Sequence, residues 1–381
     1  MKLYPIVIGL VWIVLLKFAY GLDNGLLRTE ARRGRFFPFY TIGRFTNDVC
    51  TGTNSMKGTC QVRGECMDGG GITAGSCSSI TTQAVCCVYT ATCGGSTSNN
   101  NTYFYNTNYP GTFNGASRCT LTVIPCDSSI CQLRIDFLSF SLAPPNGDGA
   151  CVTDTLTVTG GSSRVPRICG ENTGQHVYVD FNGVNPITIT VETSGTVTFN
   201  RQWQLQVSQI ACASPTRVPS GCLQYYTGDT GTVSSFNYSP AASAQLNTVG
   251  VGGTRQLSNT NYGICVRMEA GRCSITWSQL ADDPYSFTVT NDVGAVDPSL
   301  LGTAAVQSQT CATDYIVIPA PVQDGVTLGS DRFCGLGLVA TTSSAKPFVL
   351  YTVTDANENG DILNRGFSLS YSQNNCPISM R

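Results

Sequence analysis

The stretch that decides the fold is residues 93–119, which read CGGSTSNNNTYFYNTNYPGTFNGASRC. It opens on Cys-Gly-Gly, contains the turn-forming run NTNYPG and closes on a second cysteine. Two signals follow in order, a Cys-Val-Thr-Asp run at 151–154 ahead of the apolar strand TLTV, and Cys-Gly at 169–170. Residues 131–137, CQLRIDF, alternate apolar and polar side chains, which is typical of a half-buried strand. Short strands at this spacing, punctuated by Gly and Pro, predict an antiparallel β-sandwich.

This ordered set of motifs resembles a CUB domain, an extracellular β-sandwich module, over residues 93–212. The resemblance implies that residues 93–119 form the first hairpin of the domain. It also implies a non-catalytic interaction module, because CUB domains bind proteins or glycans through their loops.

Residues 222–376 repeat the same plan in a longer and more divergent form. The correspondences are CATD at 311–314 with CVTD at 151–154, RFCG at 332–335 with RICG at 167–170, and Phe367 nine residues before Cys376 with Trp203 nine residues before Cys212. We therefore expect an all-β protein with two antiparallel β-sandwich domains of the CUB jelly-roll-like type, the second one CUB-like.

Bulk composition places the protein outside the cell and argues against nucleic acid as a partner. The 381 residues are 12% charged with a net charge of -2, so no basic surface is expected. The 19 cysteines indicate an oxidising compartment.

The N-terminus predicts secretion. Residues 1–21 have Lys2, an apolar core and small residues at the end, the layout of a cleavable signal peptide that is too short to span a bilayer. No later stretch predicts a membrane span. Residues 22–49 form a basic linker, in which Arg32 to Arg35 is either a processing site or a solvated leader.

Residues 50–87 predict a small knot held together by disulfides, because six cysteines accompany too few apolar residues for a core. Their order, ending in a Cys-Cys pair, resembles the clip domain that precedes arthropod serine proteases. A generic disulfide knot is the alternative. The clip likeness implies three pairs, Cys50 with Cys86, Cys60 with Cys77, and Cys66 with Cys87.

The remaining cysteines leave two pairing schemes open. The CUB likeness implies Cys93 with Cys119 and Cys151 with Cys169, and the repeat carries these to Cys222 with Cys265 and Cys311 with Cys334. The repeat register then pairs Cys131 with Cys212 and Cys273 with Cys376, and leaves Cys126 over. Pairing by proximity instead joins Cys126 with Cys131 and Cys212 with Cys222. The odd total requires one free thiol or one intermolecular bridge, so a disulfide-linked dimer is one prediction.

The chain carries no pattern that predicts an enzyme. Its one histidine, His176, stands beside no nucleophile motif, and we interpret it as a loop or strand-edge residue.

Calcium is the predicted cofactor, at one place only. The CUB resemblance implies a Ca²⁺ site built from a Tyr, a Glu and two Asp residues, which suits the oxygen ligands of this ion. In the first module Asp154 fits, but Ala143 occupies the Glu position. In the second module the predicted ligands are Asp314, Asp355, Asn357 and Tyr226, with Tyr225 as the alternative aromatic residue. The Glu is missing there, and only Asp292 lies nearby. A solvated acidic turn at 355–361 is the alternative.

Two glycosylation sequons occur, at Asn100 and Asn237. The predicted function is a secreted, non-catalytic recognition or adhesion protein that binds an extracellular protein or glycan. The alternative is a non-enzymatic cofactor of a clip-type serine-protease cascade, in which the knot at 50–87 docks a protease.

Overall fold

A computed structural model describes residues 48–77, 84–248, 250, 252–290, 301–302, 305–307, 311–356, 358 and 364–377, with the backbone alone at 305–307. The predicted signal peptide, most of the basic linker and Asn357 lie outside these residues. All described residues belong to one compact unit. Within them, no helix has the length and apolar character needed to cross a membrane.

Among the described residues 48–77 and 84–91, the N-terminal knot has four strands and a short helix. They are β1 (Val49–Thr51), β2 (Lys57–Val62), α1 (Arg63–Asp68), β3 (Ile72–Ser76) and β4 (Ala84–Ala91).

The first sandwich contains eight strands, β5 (Gly95–Thr97), β6 (Thr102–Tyr105), β7 (Ser117–Val123), β8 (Ile130–Ser141), β9 (Thr155–Thr159), β10 (His176–Asp180), β11 (Ile187–Thr193) and β12 (Gln202–Ala211). A four-stranded sheet in the order β5-β7-β11-β9 faces a larger sheet containing β6-β12-β8-β10. Leu133, Ile135 and Phe137 are fully buried, as the alternation in β8 predicts. The ladder between β8 and β12 is irregular at Gln204/Leu205.

The second sandwich contains the remaining strands, β13 (Cys222–Tyr226), β14 (Thr230–Ser234), β15 (Asn261–Val266), β16 (Arg272–Gln279), β17 (Phe287–Thr288), β18 (Ala305–Gln307), β19 (Tyr315–Val317), β20 (Pro321–Gln323), β21 (Val326–Thr327), β22 (Arg332–Gly335), β23 (Thr341–Ser343), β24 (Phe348–Val353) and β25 (Gly366–Asn375). One sheet runs β13-β15-β24-β19-β22-β18, and the other runs β14-β25-β16-β23-β20-β21 with β17 beside β25. Trp203 in the first sandwich and Trp277 in the second are buried, at 1% and 0% exposure. The all-β prediction with two sandwiches is confirmed.

Two features of the fold differ from the sequence-based expectation. Residues 93–119 do not form a hairpin, because β5 pairs in parallel with β7 in one sheet while β6 pairs with β12 in the other. The knot also shares a sheet with the first sandwich, since β4 extends to Ala91 and pairs in parallel with β6. The eight-stranded sheet therefore runs β1-β2-β4-β6-β12-β8-β10, with β3 beside β4.

The two sandwiches are in direct contact. The loop between β8 and β9 reaches the second sandwich, where Gly147 O accepts a hydrogen bond from Thr254 N (3.1 Å) and Gly149 O accepts one from Ser258 N (3.0 Å). Gln132 exchanges two hydrogen bonds with the backbone of Val218 in the connecting segment. Backbone groups at the contact are thus satisfied across it, as buried polar groups require.

Candidate functional site

The pairing of β19 with β24 brings two of the predicted metal ligands together. Asp314 stands just before β19, Asp355 stands two residues after β24, and Tyr315 pairs with Val353 in the ladder. The backbone N–H of Asp355 donates to Asp314 Oδ1 at 2.9 Å. Asp314 is fully buried, whereas Asp355 is partly exposed.

Glu358 completes this cluster and was missed by the sequence analysis. Carboxylate oxygens of Asp314, Asp355 and Glu358 all lie within 4.8 Å of one another. Glu358 is 1% exposed, and its Oε2 accepts a hydrogen bond from Gln256 Nε2 at 3.1 Å. The resemblance places the Glu in an earlier loop, whereas here it follows Asp355 by three residues. For Glu358 itself, the interpretation of this run as a solvated turn is therefore wrong.

The donor set of the cluster suits a hard cation. At an effective dielectric constant of about 20, two carboxylates separated by the spacing seen here repel each other by roughly 3 kcal/mol. Shared protons or a bound cation would relieve that repulsion. Calcium takes carboxylate oxygens as ligands in flexible geometry, so these three residues fit the ion that the sequence predicts.

Tyr226 does not join the cluster, which corrects its prediction as a ligand. Strand β13 pairs with β15 in parallel, so Tyr226 lies beside Val266, which in turn pairs with Phe348 at the start of β24. The cluster lies beyond Val353 at the other end of β24, about 17 Å away at the usual rise per residue. Burial raises the pKa of the Tyr226 hydroxyl, which disfavours the phenolate form.

The equivalent position in the first sandwich carries an internal ion pair. Asp154 and Arg201 are both fully buried, with Arg201 Nε 2.7 Å from Asp154 Oδ2 and Nη2 3.0 Å from Oδ1. Backbone N–H groups of Ala143 and Ser194 also donate to Asp154, at 2.8 and 3.1 Å. A guanidinium that meets a carboxylate in this two-point geometry supplies the positive charge that the site needs. Arg201 belongs to no motif in the sequence, so its role could not be predicted.

His176 lies at the contact between the sandwiches. It begins the edge strand β10, and its Nε2 accepts a hydrogen bond from the backbone N–H of Tyr225 at 2.9 Å. Its ring packs against Tyr178 and Tyr226, with centroids 5.5 and 5.0 Å apart. Burial, followed by the positive charge of Arg134, lowers the pKa of His176 to about 4. The histidine is thus a neutral contact residue at physiological pH, in keeping with its interpretation as a strand-edge residue.

Nine disulfides connect eighteen of the cysteines. In the knot they join Cys50 with Cys86, Cys60 with Cys77, and Cys66 with Cys87, as the clip resemblance implies. In the sandwiches the pairs are 93–119, 131–212, 151–169, 222–265, 273–376 and 311–334, which is the scheme from the repeat register. Cys126 is exposed and has no disulfide partner.

The two sequons differ in their surroundings. Asn237 is 1% exposed, its Nδ2 donates to Arg255 O at 2.8 Å, and its Oδ1 accepts from Glu171 N of the first sandwich. A glycan on that nitrogen is incompatible with this packing, which corrects the prediction for Asn237. Asn100 is partly exposed, and its Oδ1 accepts from Asn101 N and Gln209 N. Glycosylation of Asn100 stays a prediction.

Two disulfide-braced β-sandwiches in tandem define the class of this protein, a chain of extracellular β-sandwich modules. Comparison with protein families gives the module type. The CUB domain model matches residues 93–206, and the animal CUB domain model matches residues 219–374. The chain therefore contains two CUB domains, which are non-catalytic modules and typically mediate extracellular protein interactions.

Solved structures similar to this chain include CUB domains of MASP-1. CUB1-EGF-CUB2 of rat MASP-1 has 14% identity and a TM-score of 0.26, and the match covers 74% of this chain and 100% of that one. The MASP-1 CUB2 domain bound to Ca²⁺ has 17% identity and a TM-score of 0.26, over 30% and 98%. The extracellular region of zebrafish Gpr126/Adgrg6 has 11% identity and a TM-score of 0.25, over 74% and 35%. A search of curated proteins found no match to this chain.

Proposed function

We propose that this chain is a secreted, non-catalytic recognition protein that binds an extracellular protein or glycan through the loops of its CUB domains, with Ca²⁺ held by Asp314, Asp355 and Glu358. The observation that carries the proposal is the carboxylate cluster at one end of the second CUB domain. Calcium there would neutralise the three carboxylates, which would make recognition by this end of the second CUB domain dependent on calcium.

Secretion and the absence of catalysis rest on further features. Nine disulfides fit an oxidising compartment, and the sequence begins with a predicted signal peptide. The one histidine accepts a backbone hydrogen bond in a buried contact, which leaves it no role as a general base.

Calorimetric titration with CaCl₂ tests the calcium part of the proposal. The wild-type chain should release or absorb heat with one-site saturation, whereas Asp355→Ala should lose this signal because a ligand carboxylate is removed. Asp331→Asn is a matched control, since Asp331 is an exposed acid in the same domain. Identical heats in wild type and Asp355→Ala would contradict the site.

A pull-down from extracellular fluid tests the recognition part. The mature chain should capture a partner in calcium, release it in EDTA, and fail to capture it as the Asp355→Ala variant. Capture that is unaffected by both EDTA and the variant would separate partner binding from the cluster and overturn the calcium-dependent form of the proposal.

The second candidate function, a cofactor of a clip-type serine-protease cascade, is favoured by the disulfide pairing of the knot. Deletion of residues 50–87 is a poor test, because it would remove half of β4 from the sheet of the first CUB domain. Point changes are cleaner, since Met67 and Ile72 are exposed hydrophobic residues on the knot at 62% and 56%. Binding to a clip-domain protease that Met67→Glu and Ile72→Glu abolish would support this function. The control is Val326→Glu, which changes an exposed residue of the second CUB domain.

Cys126, which has no disulfide partner within the chain, supports a covalent dimer. Partial desolvation of the sulfur atom and the neighbouring Asp127 raise the pKa of the Cys126 thiol, although the residue is exposed, so the thiolate that attacks disulfides is scarce at neutral pH. A slowly formed dimer is expected on non-reducing electrophoresis, and Cys126→Ser should abolish it. A wild-type chain that runs only as monomer would contradict the dimer.

A further inference from the structure

A groove lined by two tyrosines lies at the junction of the knot and the first CUB domain. Tyr105 at the end of β6 and Tyr109 in the following turn line it, opposite Thr92 just after β4. The two rings are stacked, with centroids 4.6 Å apart and planes at 29°. The groove encloses a volume of about 500 Å³, which is large enough for a sugar unit and its neighbours. We call it the tyrosine groove.

The rim of the tyrosine groove is fixed before any ligand arrives. Asn106 is 3% exposed, and its Nδ2 donates to Thr107 O and Gly111 O, both at 2.9 Å. Its Oδ1 accepts a hydrogen bond from the backbone of Trp203 in the core strand β12. Tyr109 is held by its hydroxyl, which donates to Gln204 Oε1 at 2.6 Å. A ligand that binds here does not have to order these groups, which lowers the free-energy cost of binding.

The chemistry of the groove selects an uncharged ligand. None of the residues that line it is charged, and its polar groups are the hydroxyls and amides of Thr92, Thr107 and Asn108. A charged ligand would lose hydration there without gaining a counter-charge. A pyranose ring matches the groove on both counts, because its C–H face can pack on a tyrosine ring while its hydroxyls meet the polar rim.

A proline-rich peptide fits less well. Such peptides lay their prolines between aromatic side chains that stand apart as ridges. Here Tyr105 and Tyr109 stack on each other, and Tyr103 stacks on the far side of Tyr105 with centroids 6.3 Å apart, so no slot separates the rings.

We propose that the tyrosine groove is a binding site for a neutral glycan. The proposal rests on the recognition function above and adds to it a second binding site, for a neutral glycan, in the first CUB domain. Since the groove contains no carboxylate, glycan binding there does not require calcium, unlike recognition by the second CUB domain.

The test is calorimetric titration of the full mature chain with neutral hexasaccharides of N-acetylglucosamine, mannose and glucose, and with a sulfated heparin hexasaccharide. At least one neutral hexasaccharide should bind, with the same affinity in calcium and in EDTA. Tyr109→Ala should weaken it about five- to tenfold, whereas Tyr109→Phe, which keeps the ring, should weaken it less than threefold. Tyr351→Ala, on an exposed tyrosine of the second CUB domain, should leave it unchanged.

A second variant guards against misfolding of Tyr109→Ala. Asn108 has a left-handed backbone with φ of 69°, so Asn108→Gly removes only its exposed amide and should weaken binding about threefold. The proposal is overturned if no neutral hexasaccharide binds, if a folded Tyr109→Ala binds as tightly as wild type, or if only the heparin hexasaccharide or a proline-rich peptide binds. Calcium-dependent capture of a partner by a chain that ignores all sugars would overturn this inference alone and leave the proposed function standing.

Discussion

The two CUB domains surround an aspartate at the same position of the fold with opposite charges. Asp154 in the first domain and Asp314 in the second occupy matching positions, and each accepts a backbone hydrogen bond from the segment after its neighbouring strand. Arg201 neutralises Asp154, whereas Asp355 and Glu358 add negative charge beside Asp314. The matching position is therefore neutralised by an internal cation in the first domain and surrounded by further carboxylates in the second.

An arginine at the same register in the second domain shows how this difference arises. Arg201 stands two residues before Trp203, and Arg365 stands two residues before the matching Phe367. The Arg365 guanidinium lies over the ring of Tyr285, 4.8 Å from its centroid, and its Nε donates to Pro240 O. Pro240 lies in one of the stretches that lengthen the second domain, so the added chain engages an arginine that in the first domain pairs with the aspartate.

The largest effect should follow from removal of the internal cation. Arg201→Met leaves Asp154 buried without its counter-charge, so the free energy of unfolding should fall by about 3–5 kcal/mol. Urea unfolding followed by Trp203 fluorescence in a Trp277→Phe background measures it, because Trp12 lies in the predicted signal peptide. Arg118→Met is the matched control, since its pair with Glu192 is exposed and should contribute about 0–1 kcal/mol. Equal losses in the free energy of unfolding of Arg201→Met and Arg118→Met would contradict the special role of the buried pair in the first domain.

Acid should act on the contact between the domains. The folded chain lowers the pKa of His176 from 6.5 to about 4, so folding favours the neutral ring. The stabilisation is complete above pH 6.5 and is lost as the pH falls toward 4, by roughly 3 kcal/mol in total. The charged groups that act on this ring, Arg134 and Asp136, are on β8, and the tyrosines of β13 face it from the second domain.

His176→Gln isolates this effect, because it keeps an acceptor for Tyr225 N and removes the titration. The free energy of unfolding of the wild type, measured by urea at each pH, should fall more steeply between pH 6.5 and 4 than that of the variant. Parallel profiles would show that the histidine does not couple acid to stability.

The next largest effect should come from calcium binding at the carboxylate cluster of the second domain. With calcium at 100 times its dissociation constant, the wild-type chain should gain about 2.7 kcal/mol of stability, and Glu358→Gln should lose most of that gain. In EDTA the same variant should melt no lower than wild type, because one repelling carboxylate is gone. Thermal unfolding checks both signs, with Asp331→Asn as control. A variant that is less stable than wild type in EDTA and equally stabilised by calcium would place Glu358 outside the metal site.

The smallest effect tests whether the first domain supports the metal site of the second. A Cβ on Gly149 would lie 2.7 Å from Gln256 O and 2.8 Å from Glu358 Cγ, and Gly149 has a left-handed backbone with φ of 75°. Gly174 has a similar φ of 86° but open space around it. Gly174→Ala should lose about 1 kcal/mol of stability. Gly149→Ala should lose more, because its Cβ would also clash with the backbone of Gln256. Only Gly149→Ala should weaken calcium binding, by about threefold. If calorimetry shows equal calcium affinities for the Gly149→Ala and Gly174→Ala variants, the first domain does not support the metal site of the second.

The sequence predicts those parts of the fold that local pattern and internal repetition determine. The alternation around Leu133 and Ile135 locates a core strand. The repeat register supplies one of the two pairing schemes that the sequence leaves open, and the structure has that scheme at Cys131 and Cys273. Both signals are carried by spacing along the chain, so they need no knowledge of which strands pair.

Long-range pairing explains what the sequence could not predict. The CUB resemblance implies Tyr226 as a metal ligand, but the parallel pairing of β13 with β15 places it at the opposite end of the sheet from Asp314. The parallel pairing of β4 with β6, which joins the knot to the first domain, is likewise set by side-chain packing rather than by a turn motif. Arg201 and Glu358 reach their sites from loops, where neither period nor motif indicates the direction of a side chain.

The shared sheet has a mechanical consequence. Strands β2 and β3 flank the same part of β4, and β6 follows β2 along β4, where Asn101 Nδ2 donates to Gly58 O at 3.3 Å. Hydrogen-bonded strands rather than a flexible linker therefore join the knot to the first CUB domain. A pulling force on the knot has to break this ladder before the two can separate, so we expect the knot and the first CUB domain to bear load as one unit.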